Sequence, residues 1–334
     1  MKKLLVIIIS VATVLMAGCV RDKPSAAGNE PSTPSNYKQA MRDFVQDIHA
    51  YAKGIKADFI IIPQNGHQLI TENGEATGNP ATKYLGAIDG VGREDLFYGY
   101  EADDQATPES ERNAMIAFMD IVRSKGLQVL VTDYCSTPWK IDDSYSQSAA
   151  KGYISFAANH RELDNIPSYP SNPYNVNTDN ITSLSQAKNF LYLLDDSNFP
   201  SKTAFLSTIQ ATKHDVVIID LFYEGNQEAF SSSDIASLKT KAGGGSRLVI
   251  AYMSIGEAED YRYYWKAEWK TNPPSWLAGE NPDWPHNYKV RYWDENWQGI
   301  IYGNNNSYLK KILDAEFDGV YLDIIDAFEY FEGQ

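Results

Sequence analysis

Short apolar runs that end in a carboxylate recur along this chain. Leu130-Val131-Thr132 leads to Asp133, Val217-Ile218-Ile219 to Asp220, and Gly319-Val320-Tyr321-Leu322 to Asp323, while Leu248 to Tyr252 runs on to Glu257. Runs this continuously apolar belong to strands buried on both faces. When such strands alternate with helices, their C-terminal ends converge on one rim, where the chemistry of a barrel enzyme sits. Acids gathered on that rim suit acid–base or electrostatic work on a neutral or cationic ligand.

Eight segments carry the strand pattern: Phe59–Ile62, Leu85–Val91, Gln128–Asp133, Tyr153–Ala157, Phe190–Leu194, Val216–Phe222, Leu248–Met253 and Gly319–Asp323. Before them, Met41, Phe44, Val45, Ile48, Tyr51 and Ile55 follow the three-and-four spacing of one helix face, which predicts an entry helix over 37–57. Thr107-Pro108 predicts a cap with Pro at the first helical position, and Gly126 closes that helix. Further helices are expected near Ser201–Thr212, Asp234–Ala242 and Tyr308–Ala315. The fold class is α/β, as a (β/α)8 TIM barrel. A doubly wound sheet is disfavoured, because Gly243-Gly244-Gly245 precedes a strand instead of opening a helix. Little chain follows Asp323, so the entry helix is expected to fill the last place in the outer ring.

The N-terminus has its own logic. Met1-Lys2-Lys3 is basic, Leu4 to Val14 is an apolar run too short to span a bilayer comfortably, and Leu15-Met16-Ala17-Gly18-Cys19 resembles a bacterial lipobox. The expected organisation is a lipoprotein signal over 1–18, a flexible Pro/Ser/Asn-rich tether over 19–36, and a barrel over 37–334. Cys19 is the expected lipidation site, which implies an extracytoplasmic protein held to a bacterial membrane by lipid alone. With two cysteines in the chain, Cys135 is then left without a partner and is read as a small buried thiol.

The formal net charge is −15, and loss of Lys2 and Lys3 with the leader leaves about −17. That balance argues against nucleic acid as a partner. The chain lacks G-x-S-x-G, H-E-x-x-H and C-x-x-C, and its five histidines are scattered, so no metal or other cofactor is expected. Acids remain, and glycoside hydrolysis is the reaction class that needs just a pair of them. Asp133 and Asp220 end strands and are expected to meet substrate at the rim. Tyr252 and Ser254 share one strand face and are expected to reach it too. Glu257 and Arg262 read as an ion pair beside the site. The long segment after the seventh strand holds Trp265, Trp269, Trp276, Trp284, Trp293 and Trp297. It is expected to cover the rim as a functional loop, most of its rings packed together and one or two, Trp265 among them, facing a sugar.

Two segments resemble a known family. Ile250 to Glu257 followed by Tyr261-Arg262 is similar to the Y-x-S-x-G-E…Y-R segment of the glycoside hydrolase family 114 superfamily, and Phe317 to Asp326 to its F-D-G-V-x-L-D-x-x-D segment. The resemblance extends from residue 37 to the end. It implies a TIM barrel related to the endo-α-1,4-polygalactosaminidases, which use one Asp and one Glu. There the Glu segment follows the Asp segment. Here Ile88-Asp89-Gly90-Val91-Gly92-Arg93-Glu94 and the preceding Phe59 to Gly66 resemble that piece at the other end of the chain, which implies a circularly rotated barrel. Asp323 and Glu94 become the catalytic candidates. The implied partner is a polysaccharide, with a galactosamine-rich polymer cut internally as first choice. A non-catalytic carbohydrate-binding lipoprotein on the same barrel is the alternative. The sequence leaves the oligomeric state open.

Overall fold

The computed structural model describes residues 33–226 and 228–334; Cys19 and the expected leader lie outside the described residues. The chain enters through α1 (Tyr37–Ile55), capped by Asn36, whose side chain accepts from the Gln39 amide. Its stripe of Met41, Phe44, Val45, Ile48 and Ala52 is fully buried. The helix stops short of the expected residue 57 because Lys56 is extended, and the Lys56 ammonium reaches the Phe317 carbonyl and Asp318.

All eight expected strands form: β1 (Ile60–Pro63), β2 (Gly90–Glu94), β3 (Gln128–Tyr134), β4 (Ile154–Ala158), β5 (Phe190–Tyr192), β6 (Val216–Ile219), β7 (Leu248–Ser254) and β8 (Gly319–Asp323). They lie in two parallel sheets, β1-β8-β7-β6-β5 and β2-β3-β4. β1 also meets β2: Gln64 bridges Gly92, the Asn65 amide donates to the Gly92 carbonyl, and the Asp89 amide donates to the Ile61 carbonyl. β4 and β5 pack side by side with no ladder between them among the described residues.

Two strand limits differ from expectation by three residues or more, and β5 ends at Tyr192 and not Leu194. Thr82–Leu85 coil into one helical turn, with the Gly86 amide on the Thr82 carbonyl, so β2 begins at Gly90 and not Leu85. β6 ends at Ile219 because the Asp220 side chain accepts from the Phe222 amide and bends the chain, after which Phe222–Tyr223 pair with Glu228–Ala229.

The helices between strands are α2 (Glu109–Ser124), α3 (Pro138–Lys151), α4 (Lys202–Gln210), α5 (Ser232–Leu238), α6 (Glu295–Ile301) and α7 (Tyr308–Asp314). Thr107 does not cap α2: Pro108 holds that place, and the Thr107 hydroxyl donates to the Asp95 carbonyl. α1 packs against α7, against the turn before β2 and against the C-terminal helix Phe328–Glu332, which is the place in the outer layer expected for it. The β4–β5 connection, residues 159–189, carries a single 3-10 turn, Leu184–Gln186, and no α-helix.

The Trp-rich segment is not one loop. It folds Glu257–Glu259, Leu277–Glu280 and Asn287–Val290 into an antiparallel sheet and then enters α6. Its rings form a relay, with centroids 5.3 Å apart for Trp265–Trp269, 5.0 Å for Trp269–Trp276 and 5.1 Å for Trp276–Trp297. Trp297 is fully buried and donates to the Ile255 carbonyl.

Because α1 is built into the core, Phe44→Ala should cost about 3–5 kcal/mol of unfolding free energy in urea, as buried Phe truncations do. A loss under about 1 kcal/mol would mean that α1 is a detachable arm.

Candidate active site

Strand parity decides which side chains meet. On β2 and β3, Glu94 is level with Thr132, so Tyr134, two residues on, shares its side of the sheet, and Asp133 points to the other. On β8 and β7, Asp323 is level with Ser254 and Tyr321 with Tyr252, which puts all four on one side. Their strands end at the wall of a cavity of about 630 Å³, which Glu94, Asp323, Tyr134, Tyr252 and Ser254 all line.

Each acid is held by a phenol from the neighbouring strand. Tyr134 Oη donates to Glu94 Oε1, and Asn65 Nδ2 donates to Glu94 Oε2 at 2.9 Å. Tyr252 Oη donates to Asp323 Oδ2 at 2.7 Å. Each acid is followed by a residue in the left-handed region, Asp95 at φ 57° and Ile324 at φ 57°. For a β-branched residue such as Ile324 that conformation is strained, at a cost of order 1–3 kcal/mol. The chain therefore turns sharply away at both points and leaves the carboxyls facing the cavity.

Asp323 is partly open to the cavity yet surrounded by protein. Its pKa is pushed up to about 8, first by burial and then by the negative charge of Glu94, with the Tyr252 hydrogen bond opposing. Asp326, on the same wall, is raised to about 6, mainly by burial and then by Glu329. Gly92 makes room beneath the two acids: a Cβ there would lie 1.9 Å from Tyr321 Oη.

The other expected residues divide. Asp220 lines the cavity and takes both Nη atoms of Arg262, at 3.0 and 2.5 Å. Arg262 also grips Glu259, so the expected Glu257–Arg262 pair does not form. Glu257 instead pairs with Lys289 and accepts from Asn281 at 2.9 Å. Both Glu257 and Arg262 line the cavity all the same. Ser254 spends its hydroxyl on the Glu257 carbonyl. Asp133 does not reach the cavity: it is fully buried, accepting from the Phe97 amide at 2.9 Å and the Ser144 hydroxyl at 2.6 Å, and so ties the turn after β2 to α3. Trp265 is held in the ring relay against Trp269 and Tyr288, off the cavity wall. Cys135 is buried and unpaired.

Several cavity residues were not anticipated. Tyr134 and Asn65 hold Glu94; Trp284 and Tyr261, 55% and 44% exposed, are the aromatic rings on the cavity wall most open to solvent. Parity counted from Glu94 would have found Tyr134. Trp284 has no such signal, since its exposure depends on the antiparallel sheet turning it outward.

The raised pKa of Asp323 makes stability depend on pH. The folded state holds this proton up to about pH 8, while the unfolded chain releases it near 4, so stability falls as pH rises across that interval and levels off above it. Asp323→Asn removes that loss, and should be more stable than the parent at pH 8 by on the order of a few kcal/mol relative to pH 4. Parallel stability–pH curves for the two proteins would contradict it.

Residues 171–334 match the family model described as glycoside-hydrolase family GH114, a span that includes Asp323 and stops short of Glu94. A protein of Methanocaldococcus jannaschii described as uncharacterized is 41% identical over 180 residues, covering 53% of this chain and 49% of its own length. Uncharacterized proteins of Thermotoga maritima, 41% identical over 122 residues, and Deinococcus radiodurans, 36% identical over 124 residues, each align over little more than a third of their lengths. The chain thus spans half or less of the curated relatives it matches. Residues 171–334, with the Asp323 strand at their end, are thus similar to the GH114 glycoside-hydrolase family.

Proposed function

We propose that this protein is a glycoside hydrolase that cleaves a polysaccharide with Asp323 and Glu94 as its two carboxylates, on a (β/α)8 barrel circularly rotated relative to the polygalactosaminidases. The observation that carries the reading is the convergence of these two acids, from opposite ends of the chain, on one cavity where the charge of Glu94 raises the proton affinity of Asp323. The β1–β2 bridge and the seating of α1 beside α7 support the rotated barrel.

Asp323, protonated at neutral pH, is the proton donor to the glycosidic oxygen. Glu94, held by two donors, acts on the anomeric carbon as nucleophile or through a water as base. The proton leaves Asp323 as the C–O bond breaks; with Glu94 as nucleophile the resulting Asp323 carboxylate then takes a proton from the incoming water, and with Glu94 as base Glu94 takes that proton and Asp323 is reprotonated from solvent.

The wall carries Glu162, Asp195 and Asp196 besides the acids already paired with Arg262, and an acidic cleft suits a partly de-acetylated amino-sugar polymer. Trp284 and Tyr261 supply flat faces for sugar rings at its mouth. Lipidation at Cys19 would hold the enzyme outside the cytoplasm, on a membrane surface.

Glu94→Gln and Asp323→Asn should each lower kcat by at least about 10³-fold while polymer binding persists, measured as reducing ends released and by calorimetry. In the parent, kcat/KM should fall as pH rises through about 8, as Asp323 loses its proton. Binding without hydrolysis in the parent protein would favour the non-catalytic lipoprotein. Cys19→Ser should move the protein from the membrane to the soluble fraction; retention in the membrane would refute the lipid anchor.

A further inference from the structure

We propose that Arg161 is the positioning residue for Glu94, clamping it through Tyr134 on one side and Asp95 on the other. The inference rests on the reading of Glu94 as a catalytic carboxylate. Arg161 comes from the β4–β5 connection, the crossover without a helix, and its side chain lines the cavity beside Glu94 and Tyr134.

The guanidinium lies over the Tyr134 ring, 3.9 Å from its centroid. That is the face-on placement in which a cation is drawn to an aromatic ring. The same ring carries the hydroxyl that donates to Glu94 Oε1. A phenol pinned from above can swing neither away from Glu94 nor into the cavity.

The second grip is on the backbone. Arg161 Nη2 and Nη1 donate to the two oxygens of Asp95, at 3.0 and 3.3 Å, and Nη2 also donates to the Gly99 carbonyl at 2.9 Å. Asp95 directly follows Glu94 and has φ 57°, so holding its carboxylate holds the turn that aims Glu94. The turn is shaped around this pair: Gly99 has φ 117°, and a Cβ there would lie 2.2 Å from Asp95 Oδ1. Arg161 Nε donates to Asp103 at 2.8 Å. All three guanidinium nitrogens are therefore engaged within the protein, which fits an anchor better than a substrate ligand. The contacts need a planar fork that also stacks, which Lys lacks.

The role differs from plain fold stabilisation in what it moves. A misplacement of about 1 Å at a catalytic group can cost on the order of 10²-fold in rate. On partly de-acetylated polygalactosamine, the full chain with Arg161→Lys should lose about 10–100-fold in kcat with KM within about threefold. Tyr134→Phe should fall in the same range, and the double variant should be no worse than the worse single, because both break one clamp. A second readout needs no turnover: the carboxyl ¹³C resonance of Glu94 should shift in Arg161→Lys and in Tyr134→Phe, with no further shift in the double variant. If Arg161→Lys does not fold, Asp103→Asn loosens the outer grip with Asp95 left in place and should show smaller changes of the same kind. An inactive parent with these resonance shifts would remove the glycosidase reading and keep the clamp. An active parent with unchanged kcat and unchanged Glu94 resonance in Arg161→Lys, or with additive losses in the double variant, would overturn the clamp.

Discussion

The insertion of β1 between β8 and β2 is the constraint on which the site depends. β1 is paired in parallel with β8 along its whole length and touches β2 through Gln64 and Gly92. Asp323 and Glu94 are separated by more than two hundred residues of chain, and this one strand makes them neighbours. Gln64 and Asn65 at its end fill the gap between them: Gln64 accepts from Tyr192, and Asn65 holds Glu94. The small residues follow from the same geometry, since Gly92 faces Tyr321 Oη and Gly319 lies against the Ile60 carbonyl, with no space for a Cβ at either.

Holding two carboxyls in one enclosed space is costly unless one of them keeps its proton. The protein sets that asymmetry by surroundings. Glu94 has two side-chain donors and Asp323 has one, with the buried Tyr192 and Tyr321 and the half-buried Tyr252 around it. The left-handed residues after each acid add local strain, which the packed strands beneath them sustain. Farther along the rim, Arg262 pairs with Asp220 and Glu259, so the acids there serve as structure beside Asp323 and Glu94.

Much of this was legible in the sequence. Apolar runs located all eight strands, and the stripe from Met41 to Ile55 located α1, although Ile55 itself is exposed, because burial on both faces or on one stripe leaves a periodic trace. α3 was missed because Ser144 and Ser148 stand where apolar residues would mark its inner face. The Trp-rich segment carries no strand pattern in the sequence because its short strands pair only with each other, with a bulge between Leu277 and Glu280 that breaks the alternation. Asp133 was misplaced for a subtler reason. A carboxylate at a strand end can face either side, and parity set by Glu94 and Thr132 sends it behind the sheet to Ser144 while Tyr134 takes the cavity side. Arg161 left no trace, since its partners come from a turn and a strand end that only the folded chain brings together.

Burial beside Glu94 is expected to keep a proton on Asp323 at neutral pH. Titration of the Asp323 carboxyl ¹³C resonance tests this directly, in the parent protein and in Glu94→Gln. The expected midpoint is near 8 in the parent and clearly lower in Glu94→Gln, where the neighbouring charge is gone. A midpoint near the ordinary aspartate value of about 4 in the parent, or one that Glu94→Gln leaves unmoved, would contradict it.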